Sequence, residues 1–410
     1  VTIMPASDAG SGQGSARRAS SSSHGPRQAS PTAVRIMSEK LPRDARARAT
    51  GSPVTKMAIG RIGAVVYSAV SMLAIKQVHA EALDVALTTP FGIASGTQAS
   101  ARNVLVTITL EDGSTGLGEA APFPAVSGET QEQTLATLEN LRAVIVGQDA
   151  RRWRRVASQL TEAAPGAAAA RCAVETALLD ALCRRVGLSL WSFFGGAEAA
   201  LVSDLTLVTG TVEEARIAAA RAAQDGFATL KIKIGAGRID EDVARLDAIL
   251  EAAPRAKLIL DANAALSADE AVGLLGALGP RRARIALFEQ PTPAGDLDGL
   301  RRVREQGRVP VAADESAKSA RAVGVLAREH AADVINIKLM KSGVAEALDM
   351  VGAARAAGLG LMVGGMVETE LCMTASACFA GGLGGFSFVD LDTPLFMAER
   401  PLAGGFEQQG

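Results

Sequence analysis

Short apolar runs alternate with longer amphipathic stretches over much of the second half of the chain. Eight of these runs predict strands, at residues 204–208, 229–234, 257–261, 285–289, 310–313, 333–337, 360–364 and 386–390. The segments between them are long enough to hold one helix each. Eight strands separated by helices predict a closed parallel barrel rather than an open sheet.

A different pattern precedes the barrel. Alternating residues at 104–110, an Asp-Gly turn at 112–113 and residues 116–119 predict a β-hairpin. Helical periodicity follows at 130–146 and 168–186, and the second helix is mostly apolar, so we expect it to be buried. The pattern therefore predicts an α+β domain at residues 75–198 and a barrel at 199–395, followed by a last segment at 396–410.

The chain upstream of this domain has no apolar period. Residues 1–56 are rich in Ser, Arg, Gly and Pro, so we assign residues 1–74 to a disordered or non-native extension. The apolar stretch 62–74 leaves a second interpretation open, as part of a signal or transit segment. It is too short for a membrane span, and we expect a cytoplasmic protein.

The composition narrows the chemistry. A formal net charge of -2 over 410 residues gives no electrostatic reason to expect nucleic acid or a membrane surface as partner. Three histidines and four cysteines without a CxxC pair argue against a histidine triad or a zinc site. Only nine of the 42 basic residues are lysines, and four of these nine fall at predicted strand ends. Because arginine cannot supply a titratable amine, these lysines indicate acid/base chemistry.

Five charged residues mark the ends of successive predicted strands: Lys233, Asp261, Glu289, Asp314 and Lys338. They are separated by 28, 28, 25 and 24 residues, and each gap has the length of one βα unit. The carboxyl ends of the strands form the active site of a (β/α) barrel. One such residue alone is usually a solvated strand end, but five in register predict a shared site.

The same five residues suit one kind of reaction. Asp261, Glu289 and Asp314 can converge at the barrel mouth, where three carboxylates without nearby His or Cys suit a hard cation such as Mg²⁺. Lys233 and Lys338 would then face each other across the cation. Two amines on opposite sides of a substrate carbon can remove and return an α-proton.

Neighbouring residues are expected to tune these groups. Residues i and i+2 of a strand face the same side, so Lys231 lies beside Lys233 and Asn263 beside Asp261. We expect the cation and Lys231 to lower the pKa of Lys233. Lys341 would lower the pKa of Lys338 in the same way, but its offset of three residues from Lys338 leaves its place in the site open.

The motifs KIK, DAN, FEQP, ADES and NIKLMKSG, at these spacings, resemble the muconate lactonizing enzyme subgroup of the enolase superfamily over about residues 75–405. The resemblance implies a modified TIM barrel, (β/α)₇β, with an N-terminal α+β capping domain, to which residues 396–410 start to return. It implies one Mg²⁺ per subunit, held by Asp261, Glu289 and Asp314, with Lys233 and Lys338 as the acid/base pair. The superfamily uses such bases beside metal ions that stabilise an enolate intermediate.

The final strand discriminates within the subgroup. Asp390 and Asp392 resemble the DxD segment with which dipeptide epimerases bind the α-ammonium group of their substrate, and two carboxylates on one face make a cation site. In the alternative interpretation, Asp390 ends the strand and Asp392 caps a turn. By the same resemblance Thr206 contacts substrate, and Lys231 and Asn263 support the enolate.

The resemblance therefore implies an isomerase, a dipeptide epimerase that transfers a proton at the α-carbon of the second residue of an L,L- or L,D-dipeptide. The cap loop that meets a glutamate side chain in epimerases acting on Ala-Glu corresponds to residues 89–98. No Lys or Arg lies between Lys76 and Arg102, which favours neutral or hydrophobic dipeptides. The family often forms homo-oligomers.

Sister activities of the subgroup remain open from the sequence. They are N-acylamino acid racemisation, o-succinylbenzoate synthesis and cycloisomerisation, whose substrates lack an α-ammonium group. A non-catalytic binding relative is the alternative from another class of protein, although a pure binder needs no paired lysines.

Overall fold

The computed structural model describes residues 4–5, 33–35, 72–93 and 96–409. Most of the N-terminal extension, including residues 62–71 of the apolar stretch, lies outside the described residues. Two short strands are described there, β1 (Met4–Pro5) and β2 (Ala33–Arg35). Both pair antiparallel with strands from the C-terminal end of the chain.

The capping domain is an antiparallel three-stranded sheet covered by helices. The predicted hairpin is confirmed, because residues 104–109 pair antiparallel with residues 115–120. The first strand of this hairpin also pairs antiparallel with the strand that precedes it in the chain. The elements are β3 (Ile75–Ile93), β4 (Gly96–Leu110), β5 (Thr115–Ala120), α1 (Pro124–Ser127), α2 (Gln131–Ile145), α3 (Trp153–Ala163), α4 (Ala168–Arg185), α5 (Leu190–Phe193) and β6 (Ala200–Leu201).

In the segment expected to be a cap loop, residues 89–93 and 96–98 are instead strand, at the end of the β3–β4 hairpin. After a shift in register between Ala86 and Phe91, pairing resumes with Phe91 opposite Gln98 and Ile93 opposite Gly96. Phe91 and Ile93 are buried, so the apolar residues of this segment have packing partners that hold it as strand.

Helix α4 is buried on nearly all sides, as its composition predicted. One face packs on β5, where Gly116 and Gly118 allow the backbones to approach. A Cβ at Gly118 would lie 2.0 Å from the Ala173 carbonyl oxygen, and one at Gly116 would lie 2.2 Å from that of Ala177. Glycine is therefore required at both positions. The helix also contacts barrel segments, so it joins the two domains.

The barrel contains the eight predicted strands, in sequence order around one parallel sheet. Each strand except the last is followed by at least one helix, which confirms the (β/α)₇β prediction. The elements are β7 (Leu205–Leu207), α6 (Val212–Gln224), β8 (Thr229–Lys233), α7 (Ile239–Ala252), β9 (Lys257–Asp261), α8 (Ala268–Ala277), β10 (Ile285–Glu289), α9 (Leu297–Gly307), β11 (Val311–Ala313), α10 (Ala320–Arg328), β12 (Val334–Ile337), α11 (Leu339–Ser342), α12 (Val344–Ala356), β13 (Gly360–Val363), α13 (Glu370–Leu383) and β14 (Phe388–Val389).

Local sequence signals fix several helix starts in the barrel. Thr211 and Glu214 form a capping box at α6, and Ser267 with Glu270 does the same at α8. Each pair satisfies backbone N–H groups that the first turn leaves free. The first and last strands meet at a seam, where the Asp204 N–H donates to the Val389 carbonyl oxygen at 2.9 Å.

The chain ends in two short strands, β15 (Leu402–Ala403) and β16 (Glu407–Gln409). Before them the chain touches the capping domain, where the Ala398 N–H donates to the Ala86 carbonyl oxygen at 2.8 Å. The four cysteines are free and buried. Among the described helices, none combines the length and the apolar character that a membrane crossing requires.

Candidate active site

A pocket lies between the barrel mouth and the capping hairpin. Seven of the ten residues predicted for the site border it: Thr206, Lys231, Lys233, Asn263, Lys338, Asp390 and Asp392. The three remaining residues, the predicted metal ligands, lie beneath these side chains and are buried.

The three predicted metal ligands stand on neighbouring strand ends. Asp261 ends β9 and is paired in register with Glu289 at the end of β10, and Asp314 follows β11. All three are at most 1% exposed. Burial alone raises the pKa of Asp261, but Lys231 and Lys233 outweigh it and hold this pKa well below its usual range. The pKa of Glu289 is raised by burial and by the charge of Asp261.

Lys231 is the central cation of the site. Its Nζ lies 2.6 Å from Asp390 Oδ2, 2.8 Å from Glu289 Oε2 and 3.0 Å from Asp261 Oδ2. The side chain is 1% exposed. Burial lowers the pKa of Lys231, but the surrounding carboxylates raise it further, so the amine is held charged.

Lys233 lies on the same side of β8, nearer to the pocket opening. Its Nζ donates to Asp261 Oδ2 at 2.6 Å and to Asn263 Oδ1 at 3.2 Å. The ammonium group also lies 5.9 Å from the centre of the Phe91 ring. The backbone φ is positive at Asn263, with 44°, and at Gln290, with 34°. Strained backbone therefore follows two of the strands that carry predicted metal ligands.

Lys338 lies on the other side of the pocket, directly after β12. Its Nζ donates to Asp314 Oδ2 at 2.8 Å. The expected lowering of the pKa of Lys338 is not found. Burial lowers this pKa, but the ion pair with Asp314 raises it more, and the net pKa lies above the usual range.

Lys341 belongs to the site, although its three-residue offset from Lys338 left this open in the sequence. The single turn of α11 brings its Nζ back to the Asp314 carboxylate and to two carbonyl oxygens, those of Asp314 at 2.6 Å and Asn336 at 3.0 Å. Burial lowers the pKa of Lys341. Lys341 thus fixes Asp314 from below while Lys338 faces the pocket.

Two buried amides missed in the sequence also hold the carboxylates. Asn336 Nδ2 donates to Glu289 Oε1 at 2.7 Å. Gln290 Oε1 accepts from the N–H groups of Asp314 and Ser316, at 2.9 and 3.1 Å. Both lie within motifs quoted above, NIK and FEQP, and strand alternation places Asn336 on the side of Lys338.

Asp390 and Asp392 form the far wall of the pocket. Asp390 is held by Lys231, and Asp392 Oδ2 accepts from the backbone N–H of Thr206. A third carboxyl group, missed in the sequence, stands behind them: Asp204, which is 2% exposed. In the sequence, Asp204 is one polar residue at the start of a predicted barrel strand. Polar residues are common at that position, so the sequence did not mark Asp204 as a site residue.

The donor chemistry of Asp261, Glu289 and Asp314 fits a hard divalent cation, because the set consists of buried carboxylate oxygens. Around the pocket, the buried carboxyl groups of the described residues also outnumber the buried lysines, so a bound cation would balance the charge. Among the described residues, the acids whose oxygens all lie within 4.8 Å of one another are Asp204, Asp390 and Asp392. The predicted ligands are less tightly gathered, since Lys231 stands between Asp261 and Glu289.

The roof of the pocket is apolar and comes from the capping domain. It consists of Phe91, Ile93, Phe123 and Val126, with Met366 from the barrel opposite. Phe91 packs edge-on against Phe396, with ring centroids 5.5 Å apart. No charged side chain of the capping domain borders the pocket among the described residues.

Known protein families match both domains. The model described as "Mandelate racemase / muconate lactonizing enzyme, N-terminal domain" matches residues 77–195, and "Enolase C-terminal domain-like" matches residues 213–407. An aromatic dipeptide epimerase of Herpetosiphon aurantiacus is 50% identical over 82% of this chain and 94% of its own length. A hydrophobic dipeptide epimerase of Enterococcus faecalis is 36% identical over 81% of this chain and 94% of its own.

Solved structures agree with the sequence relatives. A putative mandelate racemase/muconate lactonizing enzyme from Sorangium cellulosum has 57% identity and a TM-score of 0.78, over 82% of this chain and 95% of its own. A dipeptide epimerase from E. faecalis, complexed with Mg and L-Leu-L-Tyr, has 36% identity and a TM-score of 0.78, over 81% and 94%. The capping sheet, the (β/α)₇β barrel and these matches together show that the chain belongs to the mandelate racemase/muconate lactonizing enzyme family of the enolase superfamily.

Proposed function

We propose that this protein is a Mg²⁺-dependent dipeptide epimerase that inverts the α-carbon of the second residue of neutral or hydrophobic dipeptides. The observation that carries the proposal is the placement of two lysines on opposite sides of one pocket, with a carboxylate pair at its far wall. Relatives with up to 50% identity that are named dipeptide epimerases support the same reaction.

Lys233 and Lys338 exchange the proton. One lysine removes the α-proton from one face, and the ammonium group of the other returns a proton to the opposite face. Ion pairs with Asp261 and Asp314 aim the two Nζ atoms. Because the strands that carry them, β8 and β12, are separated by β9, β10 and β11, the lysines approach a bound α-carbon from different sides.

Asp261, Glu289 and Asp314 would hold the Mg²⁺ ion. When bound, the ion supplies positive charge that offsets the charge developing on the substrate carboxylate. Lys231 and Asn263 add donors on the same side. Asn336, Gln290 and Lys341 keep the three carboxylates in place, as the outer partners of metal ligands commonly do.

Asp390 and Asp392 bind the α-ammonium group of the dipeptide, and Thr206 orients Asp392 through its backbone N–H. The side chain of the second residue meets the apolar roof formed by Phe91, Ile93, Phe123 and Val126. An acidic side chain there would be buried without a cationic partner, which disfavours it. Aromatic and aliphatic side chains fit this surface.

The proposal is tested by incubating L-Ala-L-Phe with the purified protein and Mg²⁺ and resolving the diastereomers by chromatography. We expect conversion to a mixture with L-Ala-D-Phe. L-Ala-L-Glu should react more slowly, because of the apolar roof. Turnover of N-acyl amino acids or an o-succinylbenzoate precursor, with no turnover of any dipeptide, would contradict the proposal.

Metal removal gives a second test. Treatment with EDTA followed by gel filtration should reduce epimerisation by at least about a hundredfold, since charge stabilisation of this kind contributes several kcal/mol. Added Mg²⁺ should restore the rate. Full activity in a protein shown by elemental analysis to hold no divalent metal would exclude the assignment of the three carboxylates.

A further inference from the structure

Asp204 is a buried carboxyl group directly behind the pair Asp390 and Asp392. It lies at the barrel seam, where its N–H bonds to the Val389 carbonyl oxygen at 2.9 Å. Oxygens of the three carboxyl groups lie within 4.8 Å of one another. The seam therefore places a third acid beside the two that border the pocket.

Two of the three acids, Asp204 and Asp392, have no ion-pair partner among the described residues. Both side-chain oxygens of Asp204, and Oδ1 of Asp392, also have no hydrogen-bond partner there. Asp390 pairs with Lys231, but Lys231 also pairs with Asp261 and Glu289. A buried carboxyl group without a donor is costly, so the cluster requires either protons or a cation from a ligand.

The pocket indicates which ligand supplies that charge. The pocket is bordered by Asp390, Asp392 and Thr206 but not by Asp204. A bound ligand would therefore contact Asp390 and Asp392 directly and interact with Asp204 only through its charge. Negative charge at this range in a buried site strengthens the binding of a cation. It does nothing for a neutral, acylated amine.

We propose that Asp204 is the third carboxyl group of the ammonium subsite, a positioning residue that restricts the enzyme to substrates with a free, charged N-terminal amine. This inference rests on the proposed function. It gives a role to the buried acid without a partner at the seam, since neutralising this acid would stabilise the empty protein and weaken the complex.

The test compares two ligands that differ only in the amine, L-Ala-L-Phe and N-propionyl-L-phenylalanine. In Asp204→Asn we expect the KM for L-Ala-L-Phe to rise about tenfold, by loss of a buried charge interaction, while kcat changes less than about twofold. The Ki of N-propionyl-L-phenylalanine should stay within about twofold. The selectivity for the free amine therefore falls about tenfold.

Asp333→Asn is the matched control. Asp333 is an acid at the other end of the barrel, before β12, where it pairs with Arg304 at 2.6 Å and accepts from the Val311 N–H at 3.0 Å. This variant should lose stability and keep the selectivity of the wild type. Asp204→Asn should melt at or above the wild-type temperature, because it removes repulsion between buried acids. Asp204→Ala is the second variant if the asparagine form does not fold.

Three results would overturn the inference. Equal changes in the KM of L-Ala-L-Phe and the Ki of N-propionyl-L-phenylalanine, or no change of these constants in either Asp204 variant, would show that Asp204 does not contribute to recognition of the amine. Two Mn²⁺ ions per chain by equilibrium dialysis, with one lost in Asp204→Asn, would make the cluster an inorganic cation site. Failure of the wild type to epimerise any dipeptide would overturn the proposed function together with this inference, and is thus distinguishable from the first two results.

Discussion

At the residue scale, the chemistry depends on amines that are buried and yet reach a pocket. Lys233, Lys338 and Lys231 all border the pocket, but Lys231 is held by three carboxylates, those of Asp390, Glu289 and Asp261. Lys341 binds Asp314 beneath the pocket. The partners of each lysine follow from where it lies relative to the end of its strand. Each lysine that faces the pocket has a second lysine nearby that shares the carboxylate charge.

Replacing Lys338 by arginine keeps a charge beside Asp314 but removes the titratable amine. We expect Lys338→Arg to lose epimerisation by about a thousandfold, the range for loss of an acid/base group, and to retain metal binding. In D₂O the variant should exchange the α-proton of one diastereomer only, since Lys233 still serves its own face. Lys318→Arg, an exposed lysine, is the control, and full epimerisation in Lys338→Arg would exclude the two-base scheme.

Phe91 tests the apolar roof. Phe91→Ala should lower kcat/KM for L-Ala-L-Phe by about ten- to a hundredfold, as expected for a lost apolar contact of 1–3 kcal/mol, and affect L-Ala-L-Ala much less. Phe193→Ala is the control, because Phe193 packs against Trp153 and Phe194 and does not border the pocket. An equal effect of Phe91→Ala on both substrates would place the side chain elsewhere.

At the scale of elements, strand periods and spacing were sufficient to predict the barrel. All eight predicted strands are present, with ends within about two residues, because βα units repeat one pattern of apolar strand, polar end and amphipathic helix. The hairpin and the buried helix α4 were also predicted correctly. The cap loop was not, since its strand character depends on packing of Phe91 and Ile93 that a local pattern does not show.

Two parts of the site that the sequence did not predict depend on contacts made only in the folded chain. Asp204 lies close to Asp390 and Asp392 only because the first and last strands of the barrel meet at the seam. Lys341 enters the site because of one turn of α11. Both depend on closure of the barrel or on a local change from strand to helix, neither of which a residue spacing encodes.

Helix α4 carries an acid that caps a barrel helix. Glu175 Oε2 accepts from the Ala345 N–H at 2.8 Å, at the start of α12 and just after the segment with Lys338 and Lys341. Burial raises the pKa of Glu175 to about 7, although the backbone N–H groups of Ala345 and Val344 lower it. A raised folded-state pKa means that the folded chain binds the proton more tightly than the unfolded chain does.

The stability from this group is fully present below about pH 4.5 and is lost as the pH rises through about 7. The loss amounts to about 3 kcal/mol. Glu175→Gln should therefore show a flatter dependence of unfolding free energy on pH between 5 and 8, measured by urea titration. Glu346→Gln, which alters an acid on α12 itself, is the control. An unchanged slope in Glu175→Gln would contradict the assignment.

At the scale of the whole molecule, the capping domain and the barrel share the pocket and are joined by buried polar contacts. Glu119 of β5 accepts from Asn103 Nδ2 at 2.6 Å, and from the N–H and Oγ1 of Thr369 at 2.9 and 2.6 Å. Thr369 caps α13, so one carboxylate ties the capping sheet to a barrel helix. The roof of the pocket is thereby held over the lysines.

Glu119→Gln should reduce the free energy of unfolding by about 2–3 kcal/mol, the value of a buried hydrogen bond to a charged group together with a donor left unpaired. Urea unfolding at neutral pH measures it. Glu139→Gln, on the exposed face of α2, should change stability by less than about 0.5 kcal/mol. Equal stability of both variants would show that the two domains are held together elsewhere.

The central claim is that the two lysines move a proton on and off the α-carbon of the second residue of a dipeptide. Proton NMR in D₂O, with Mg²⁺ and L-Ala-L-Phe, follows that carbon directly. The account predicts loss of the α-proton signal of phenylalanine, no loss at alanine, and growth of the L,D diastereomer. Persistence of that signal for every neutral dipeptide tried, while an N-acyl amino acid exchanges its α-proton, would contradict it.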